Sequence, residues 1–251
     1  MADPIRLTTR IALVASGEIG LSEAHDCHVY LVDAGASLLM IDAGAGIDPA
    51  RIVVRIERLG YTLEQVSHLF LTHGHADHAG GAAYFRAEHP SLRLCAGGLT
   101  ASLLGRGDES GIALDAARAA GVYPADYRLQ PAEITHPLRD GEELQIGDCQ
   151  VQAIETPGHS ADALCYRVQF PESAALFCGD TLFLSGQLPL LNTHDSDLAA
   201  YRRSLSKLAA LNVEGLYPGH GLFKVRGGGA AIRQQHERFT SSIYLPPVIG
   251  D

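Results

Sequence analysis

The sequence predicts an α/β fold in which two β-sheets pack together and carry helices on the outside. Strand-like segments occur in clusters, and helical patterns lie between the clusters instead of alternating strictly with single strands. Of the 251 residues, 46% are hydrophobic, and an α/β chain of this size can bury a substantial core. Several strand-like segments also run directly into glycine-containing turns followed by histidine or aspartate, so polar chemistry is expected at the strand ends.

The expected elements follow from these patterns in chain order. Strands are predicted at residues 11–14, 27–32, 37–41, 68–72, 92–96, 143–146, 149–154, 164–168, 174–178 and 215–217. Helices are predicted at residues 49–59, 80–88, 114–120, 197–211 and 229–238. In the fourth helix Ala199, Leu205 and Leu208 recur at helical spacing, whereas Arg202 and Lys207 lie largely off that apolar stripe.

The segment from Thr72 to Gly81 concentrates potential metal ligands. It reads THGHADHAGG, and it supplies three histidines and one aspartate within six positions: His73, His75, Asp77 and His78. Neutral imidazole and carboxylate ligands suit a borderline divalent ion such as zinc better than calcium or magnesium. If the chain is extended at the strand end, His73 and His75 share a face, whereas Asp77 and His78 follow a turn and point elsewhere.

Three later turns supply further ligands of the same kind. Each follows a strand-like segment, contains glycine, and presents one polar residue directly after it: His159, Asp180 and His220. With the four residues of the first loop, this makes seven potential ligands. Seven ligands exceed what one tetrahedral ion needs, and they suit two ions that share a bridging carboxylate.

These residues resemble the hallmark of the metallo-β-lactamase superfamily, H-x-H-x-D-H followed by a distant His, Asp and His. The resemblance implies a four-layer αββα sandwich with the metals at one edge. It also implies that His73, His75 and His159 hold the first ion, and that Asp77, His78 and His220 hold the second, with Asp180 bridging. The segment ending in Asp42 resembles the family's early strand, whose aspartate supports the metal site by orienting a ligand. We therefore expect a single domain over residues 1–251.

The expected chemistry is metal-dependent hydrolysis. Two ions, most readily zinc, with iron or manganese as alternatives, would lower the pKa of a shared water so that a bridging hydroxide attacks an acyl carbon. Asp77 and Asp180 are the expected catalytic carboxylates, which can hydrogen-bond the nucleophile or pass a proton to the leaving group. The substrate is expected to be a small acyl compound, with a thioester preferred to a lactone and a lactone preferred to a β-lactam.

The branch of the family is indicated by the segment GDTLF from Gly179, which is similar to glyoxalase-II-like thioester hydrolases. The following run, 184–192, departs from their Arg-containing stretch, and residues 221–251 are too few for their glutathione-gripping helical domain. Residues of about 97–131 could instead form a helical lid or substrate wall, and so could 185–195.

The alternative function is that of an oxidoreductase similar to persulfide dioxygenases, which would use one iron on His73, His159 and Asp180. A metal-binding module without catalysis is the third reading.

Composition narrows the class of partner. The formal net charge of −10 argues against nucleic acid as a partner. Neither a secretory signal nor an apolar run of membrane-spanning length is recognised, and the five cysteines form no CxxC pair, so we expect a cytoplasmic protein with buried reduced thiols.

Several histidines and tyrosines lie outside the predicted ligand set. His25 and His28 are expected to be structural or at a cleft rim, and His194 to lie in a solvated loop. Tyr30, Tyr123 and Tyr127 are candidate wall or oxyanion groups. Nothing in the sequence indicates the oligomeric state.

Overall fold

In the computed structural model, which describes residues 2–241, the chain divides into two compact units. One ends at Leu138 and the other begins at Arg139. Each unit is built on its own β-sheet, the first of seven strands and the second of five. Each sheet is mixed, because antiparallel and parallel neighbours occur in both. The first unit carries the His-rich loop, which is the segment 72–81, and the second carries the three later turns before His159, Asp180 and His220.

The first sheet has its strands in chain order, from β1 to β7. They are β1 (Ile5–Arg6), β2 (Ile11–Ala15), β3 (Val29–Asp33), β4 (Leu38–Ile41), β5 (Val66–Phe70), β6 (Arg93–Gly97) and β7 (His136–Leu138). The first four strands are antiparallel, and β4 to β7 are parallel. In the parallel part Ile41 is the register partner of Phe70, so the residues that follow these two strands emerge side by side.

Helices of the first unit fill the connections between its parallel strands. They are α1 (Ala50–Arg58), α2 (Ala76–Ala79), α3 (Ala82–Glu88), α4 (Gly98–Arg106) and α5 (Leu114–Ala119). Ile52 and Ile56 on α1 and Phe85 on α3 are buried in the core of this unit together with Met40 and Leu69 of the sheet. Strands β2, β3 and β4 are buried and consist almost entirely of apolar residues, whereas the edge strand β1 is exposed.

The second unit contains a meander followed by one parallel strand. Its strands are β8 (Glu143–Ile146), β9 (Cys149–Glu155), β10 (Leu164–Gln169), β11 (Ala174–Gly179) and β12 (Gly215–Pro218). Strand β12 pairs with β11 in parallel, because α6 (Leu198–Ala209) forms part of the connection between them. Helix α7 (Gly228–Ser241) follows β12 and packs with α6. Leu205, Leu208 and Ile232 join these helices to the core of the unit.

Every strand and helix expected from the sequence has a counterpart, with three instructive differences. The strand expected at 68–72 ends at Phe70, because the backbone N–H of Thr72 leaves the sheet and donates to the carboxylate of Asp42 (2.7 Å). The helix expected at 80–88 is α3, which begins at Ala82, and the separate short helix α2 precedes it. Strands β1 and β7 were not expected, and α4 was expected only as part of a possible helical lid at about 97–131, since its two glycines are poor helix formers.

Two further expectations concern cysteines and the membrane. All five cysteines, Cys27, Cys95, Cys149, Cys165 and Cys178, are buried and free of disulfides, as the sequence suggested. Burial raises the pKa of the Cys165 thiol to about 11, so this thiol stays protonated at neutral pH. Over the described part of the chain, none of the helices is long and apolar enough to cross a membrane.

Candidate metal centre

The His-rich loop begins where β5 ends and closes into helix α2. His75 has extended backbone angles and caps α2, so the chain reverses between His75 and Asp77. This reversal brings three imidazole rings together. Nε2 of His73 lies 3.0 Å from Nδ1 of His75, and the ring centroids of His73 and His78 are 4.2 Å apart. All three side chains are buried, at 1%, 8% and 0% exposure for His73, His75 and His78 respectively.

Two glycines allow the loop to lie close to the chain that follows β4. A Cβ atom at Gly80 would lie 2.3 Å from the carbonyl oxygen of Ala45, and one at Gly81 would lie 2.2 Å from that of Ala43. Real Cβ atoms do not approach backbone atoms so closely, so only glycine fits at both positions. The backbone N–H of Ala43 also donates to the carbonyl of His78 (2.7 Å). The His-rich loop is thus fixed against the end of β4.

Asp42 orients the imidazole of His78. Its Oδ2 atom lies 2.8 Å from Nδ1 of His78, and its carboxylate also accepts hydrogen bonds from the backbone N–H and the hydroxyl of Thr72. Asp42 is 2% exposed and has a φ of 61°, a left-handed conformation that aspartate tolerates better than most residues. A partner on Nδ1 leaves Nε2 of His78 directed to Asp77, whose Oδ2 is 3.4 Å away.

Asp77 has a second contact on its other oxygen. The hydroxyl of Tyr123 donates a hydrogen bond to Oδ1 of Asp77 (3.2 Å). The ring of Tyr123 is stacked with those of His25 and Tyr127, at centroid distances of 5.5 Å and 5.0 Å. Burial, reinforced by the negative charge of Asp77, raises the pKa of Tyr123 far above its usual value, so the phenol remains a donor.

The second unit brings its three expected ligands together around Asp180. Oδ2 of Asp180 lies 3.6 Å from Nε2 of His159 and 3.7 Å from Nε2 of His220. His159 and Asp180 are buried, and the His220 side chain is 26% exposed. Nδ1 of His159 lies 2.5 Å from the carbonyl oxygen of Pro189, which makes that nitrogen the donor and leaves Nε2 facing Asp180.

The turn before His159 is held against helix α6. Gly158 has a φ of 151°, and a Cβ atom there would lie 2.6 Å from Cα of Tyr201 on that helix. The carbonyl of Gly158 accepts from the backbone N–H of Asp197, and the hydroxyl of Ser204 donates to the carbonyl of Pro157 (2.7 Å). Helix α6 therefore sets the position of His159.

The donor chemistry of both sets fits a divalent metal. Each set combines imidazoles, all buried except that of His220, with one or more carboxylates, which is the ligand mixture that zinc, iron and manganese accept. Two of the imidazoles, His78 and His159, have a hydrogen-bond partner on Nδ1 that leaves Nε2 toward a neighbouring carboxylate. This is the usual arrangement around metal-ligating histidines.

Some residues near these sets were not assigned from the sequence. Thr72, which precedes His73, links Asp42 to the loop, and its place next to the motif was the only available signal. The carbonyl of Pro189 could not have been found, because a backbone atom leaves no sequence signature. Cys27 places its sulfur within 4.8 Å of ligand atoms of Asp42 and His78, and burial raises the pKa of its thiol.

The three histidines left open by the sequence lie in different settings. His25 is partly exposed and pairs with Glu23 (2.9 Å) beside Tyr123. His28 is buried with its ring against that of Tyr30. His194 lies exposed in the loop before α6, as expected for a solvated histidine.

The chain belongs to the metallo-beta-lactamase superfamily, because the sequence profile of that superfamily matches residues 23–220 of its 251 residues. It is 29% identical over 218 residues to the lactamase-like protein vrtG of Penicillium aethiopicum, a match that covers 86% of the chain and 58% of that protein. It is 30% identical over 220 residues to the atrochrysone carboxyl ACP thioesterase of Aspergillus fumigatus, with 86% and 57% covered. The chain thus spans slightly more than half the length of these relatives.

Solved structures share the fold at lower identity. A mutant of a metallo-beta-lactamase from Cronobacter sakazakii superposes with a TM-score of 0.74 at 21% identity, and the match covers 96% of each chain. A subclass B3 metallo-beta-lactamase of Bradyrhizobium japonicum has a TM-score of 0.69 at 20% identity, covering 95% of this chain and 92% of that one. The predicted superfamily and the predicted α/β fold of the metallo-β-lactamase type are therefore confirmed, and the superfamily implies metal binding.

Proposed function

We propose that this chain is a metal-dependent hydrolase that cleaves an acyl bond, with a thioester as its preferred substrate. The observation that carries the proposal is the buried cluster of His73, His75 and His78, in which Asp42 fixes the orientation of one imidazole. Burying three imidazoles close together costs free energy when they bind no ion, and bound divalent metal offsets that cost.

We further propose that the seven predicted ligands hold two divalent ions, most readily zinc. One ion would be held by His73, His75 and His159, and the other by Asp77, His78 and His220. Asp180 would bind both ions. The support is the complete ligand pattern of the superfamily together with the geometry inside each unit. Bound divalent ions supply Lewis acidity, which polarises a substrate carbonyl and makes hydroxide available near neutral pH.

The residues of the chain have separate tasks in this proposal. Asp42 and the carbonyl of Pro189 hold the tautomers of His78 and His159 through their Nδ1 atoms. Asp77 and Asp180 would lower the net positive charge of the centre and would accept or return a proton during acyl transfer. Burial of the imidazoles keeps bulk water from competing for the ligand atoms.

The preference for a thioester draws on a relative. The thioesterase of Aspergillus fumigatus, to which the chain is 30% identical, is named for an acyl group carried on a carrier protein. The segment beginning GDTLF at Gly179 also resembles thioester hydrolases of the superfamily. A lactone or β-lactam substrate is the competing outcome, because both are also acyl compounds that the same chemistry would open.

The decisive experiment combines metal content with a substrate panel. The full chain would be purified, its metals counted by mass spectrometry, and its turnover measured on an acyl thioester, an acyl-homoserine lactone and a chromogenic cephalosporin. We expect about two zinc ions per chain and turnover of the thioester. About one iron per chain, with oxygen uptake on a persulfide and no hydrolysis, would overturn the proposal in favour of the oxidoreductase.

Two variants and a control make the experiment specific. His75→Ala and Asp180→Asn remove one proposed ligand each, and both should lower bound metal and reduce turnover by at least about two orders of magnitude. His236→Ala is the control, since His236 lies on α7 and bonds to Ser206 (3.0 Å). Full turnover by His75→Ala would contradict the proposed ligand set.

A further inference from the structure

Tyr123 reaches a proposed ligand from the segment at about 97–131 that was expected to form a lid or wall. Its hydroxyl donates to Oδ1 of Asp77 at 3.2 Å, and its side chain is buried, with 8% of the residue exposed. The rings of His25 and Tyr127 both stack with the phenol ring. The hydroxyl is therefore held in place, because the ring cannot turn away without breaking both stacks.

The bond from Tyr123 engages only one of the two oxygens of Asp77. The other, Oδ2, lies 3.4 Å from Nε2 of His78, and both residues are proposed ligands of the same ion. On the far side of that imidazole, Nδ1 of His78 is 2.8 Å from Asp42. Tyr123 and Asp42 thus have similar roles. Each contacts one polar atom of a proposed ligand residue, and the second polar atom of that residue faces the neighbouring ligand.

We propose that Tyr123 is a positioning residue that fixes the orientation of the Asp77 carboxylate and thereby raises the affinity of the metal centre for one of its ions. The inference rests on the proposed function only in taking Asp77 as a ligand. Hydrogen bonds from surrounding groups to ligand side chains typically change metal affinity by roughly 10-fold to 100-fold. The loss of this one hydroxyl should therefore weaken the binding of one ion and leave the binding of the other unchanged.

The test compares two Tyr→Phe variants that lose the same kind of bond. Tyr123→Phe removes the hydroxyl and keeps the ring that stacks with His25 and Tyr127. Tyr61→Phe is the matched control, because the Tyr61 hydroxyl donates to the carboxylate of Asp33 at 3.1 Å in the same unit, and Asp33 is not a proposed ligand. The metal-free full chain would be titrated with zinc alone against a chromophoric chelator. We expect Tyr123→Phe to weaken one zinc by roughly 10-fold to 100-fold, and Tyr61→Phe to match the wild type.

A double-mutant cycle shows whether the effect runs through Asp77. Asp77→Asn would be measured alone and together with Tyr123→Phe. If Tyr123 acts by orienting the Asp77 carboxylate, the second substitution should add little to the loss that Asp77→Asn already causes. Fully additive losses in zinc affinity would overturn the proposal, and so would a Tyr123→Phe variant that binds zinc as the wild type does.

A merely structural role for Tyr123 would give a different result. In that case the metal-free Tyr123→Phe variant would melt at a lower temperature than the wild type, while its zinc affinity stayed the same. The zinc titration needs no substrate, so its outcome is separate from that of the hydrolase test. If zinc affinity depends on Tyr123 but the chain hydrolyses no thioester, the proposed function is refuted and this inference stands.

Discussion

Oδ2 of Asp42 lies 2.8 Å from Nδ1 of His78, and both side chains are almost completely shielded from solvent. A buried carboxylate is stable only when its oxygens accept hydrogen bonds, and Asp42 meets this condition with Thr72 and His78. The pair links the end of β4 to the His-rich loop, so one contact serves both the fold of the first unit and the orientation of a proposed ligand.

Replacing Asp42 by asparagine should weaken metal binding and lower stability together. Asparagine tolerates the left-handed backbone at this position, where φ is 61°, so Asp42→Asn tests the carboxylate and not the backbone. We expect zinc affinity to fall roughly 10-fold to 100-fold. We also expect the metal-free protein to lose about 1–3 kcal/mol of unfolding free energy, because an amide group cannot satisfy all three donors equally well.

Zinc titration and denaturant unfolding of the metal-free chain would check both parts. Asp33→Asn is the control, since Asp33 ends β3 and accepts bonds from Tyr61 and from the backbone N–H of Gly35. Asp33→Asn should leave zinc affinity unchanged. Unaltered zinc binding by Asp42→Asn would show that His78 does not depend on this carboxylate.

Adding a methyl group at Gly158 should displace His159. The new Cβ would meet the backbone of α6 at 2.6 Å, and helix and turn cannot both stay in place. We expect Gly158→Ala to cost about 1–3 kcal/mol or more in unfolding free energy and to reduce zinc affinity. Gly141→Ala separates backbone strain from the clash, because Gly141 also has a positive φ of 77° but has open space around it.

The Gly141→Ala control should lose only the conformational term of about 1–2 kcal/mol and should bind zinc like the wild type. Both variants would be measured by denaturant unfolding and zinc titration. If the two variants lost equal stability and bound zinc equally, the close approach of Gly158 to Tyr201 would have no bearing on the position of His159.

His68 should make the protein less stable in acid. Its burial, with the positive charge of Arg93 nearby, lowers the pKa of His68 to about 4 from an ordinary 6.5. Below pH 6.5 His68 binds a proton in the unfolded chain but not in the folded protein. The contribution of His68 to the unfolding free energy therefore falls until about pH 4 and then levels off. The depressed pKa corresponds to about 3 kcal/mol across that window.

The measurement compares unfolding free energies of wild type and His68→Gln between pH 7.5 and pH 4, both with chelator present. Glutamine has no charge to gain, so the variant should lose less stability than the wild type as the pH falls. The difference between the two proteins should change by up to about 3 kcal/mol in favour of the variant. A constant difference across the pH range would refute the role assigned to His68.

The ligand residues could be predicted because histidine and aspartate at strand ends are visible in the sequence itself. Their spacing after apolar segments located His73, His159 and Asp180 on turns, and the structure has each of them there. Asp42 was also expected to support a ligand, although the sequence could not show that the ligand would be His78. That choice depends on the parallel pairing of β4 with β5, which is a long-range relationship.

Other features could not be predicted, because they depend on backbone atoms or on distant packing. The carbonyl of Pro189 and the hydroxyl of Tyr123 contact proposed ligands 30 and 46 positions away in the chain. Helix α4 was not expected as a separate element because its glycines weaken the local signal, and tertiary packing of Thr100, Leu103 and Leu104 overrides it. Whether residues 97–131 act as a lid stays a prediction.

The register of β4 and β5 also determines which length changes the chain can accept. Ile41 pairs with Phe70, so Asp42 and Thr72 leave the sheet as neighbours although 30 positions separate them. Length changes in the connection between these strands leave both strand ends in place only when they fall away from Ala43 and Ala45, which lie against the His-rich loop. A single residue added inside either strand would shift the register by one position and separate the carboxylate from its imidazole. Natural length variation should therefore avoid these two strands.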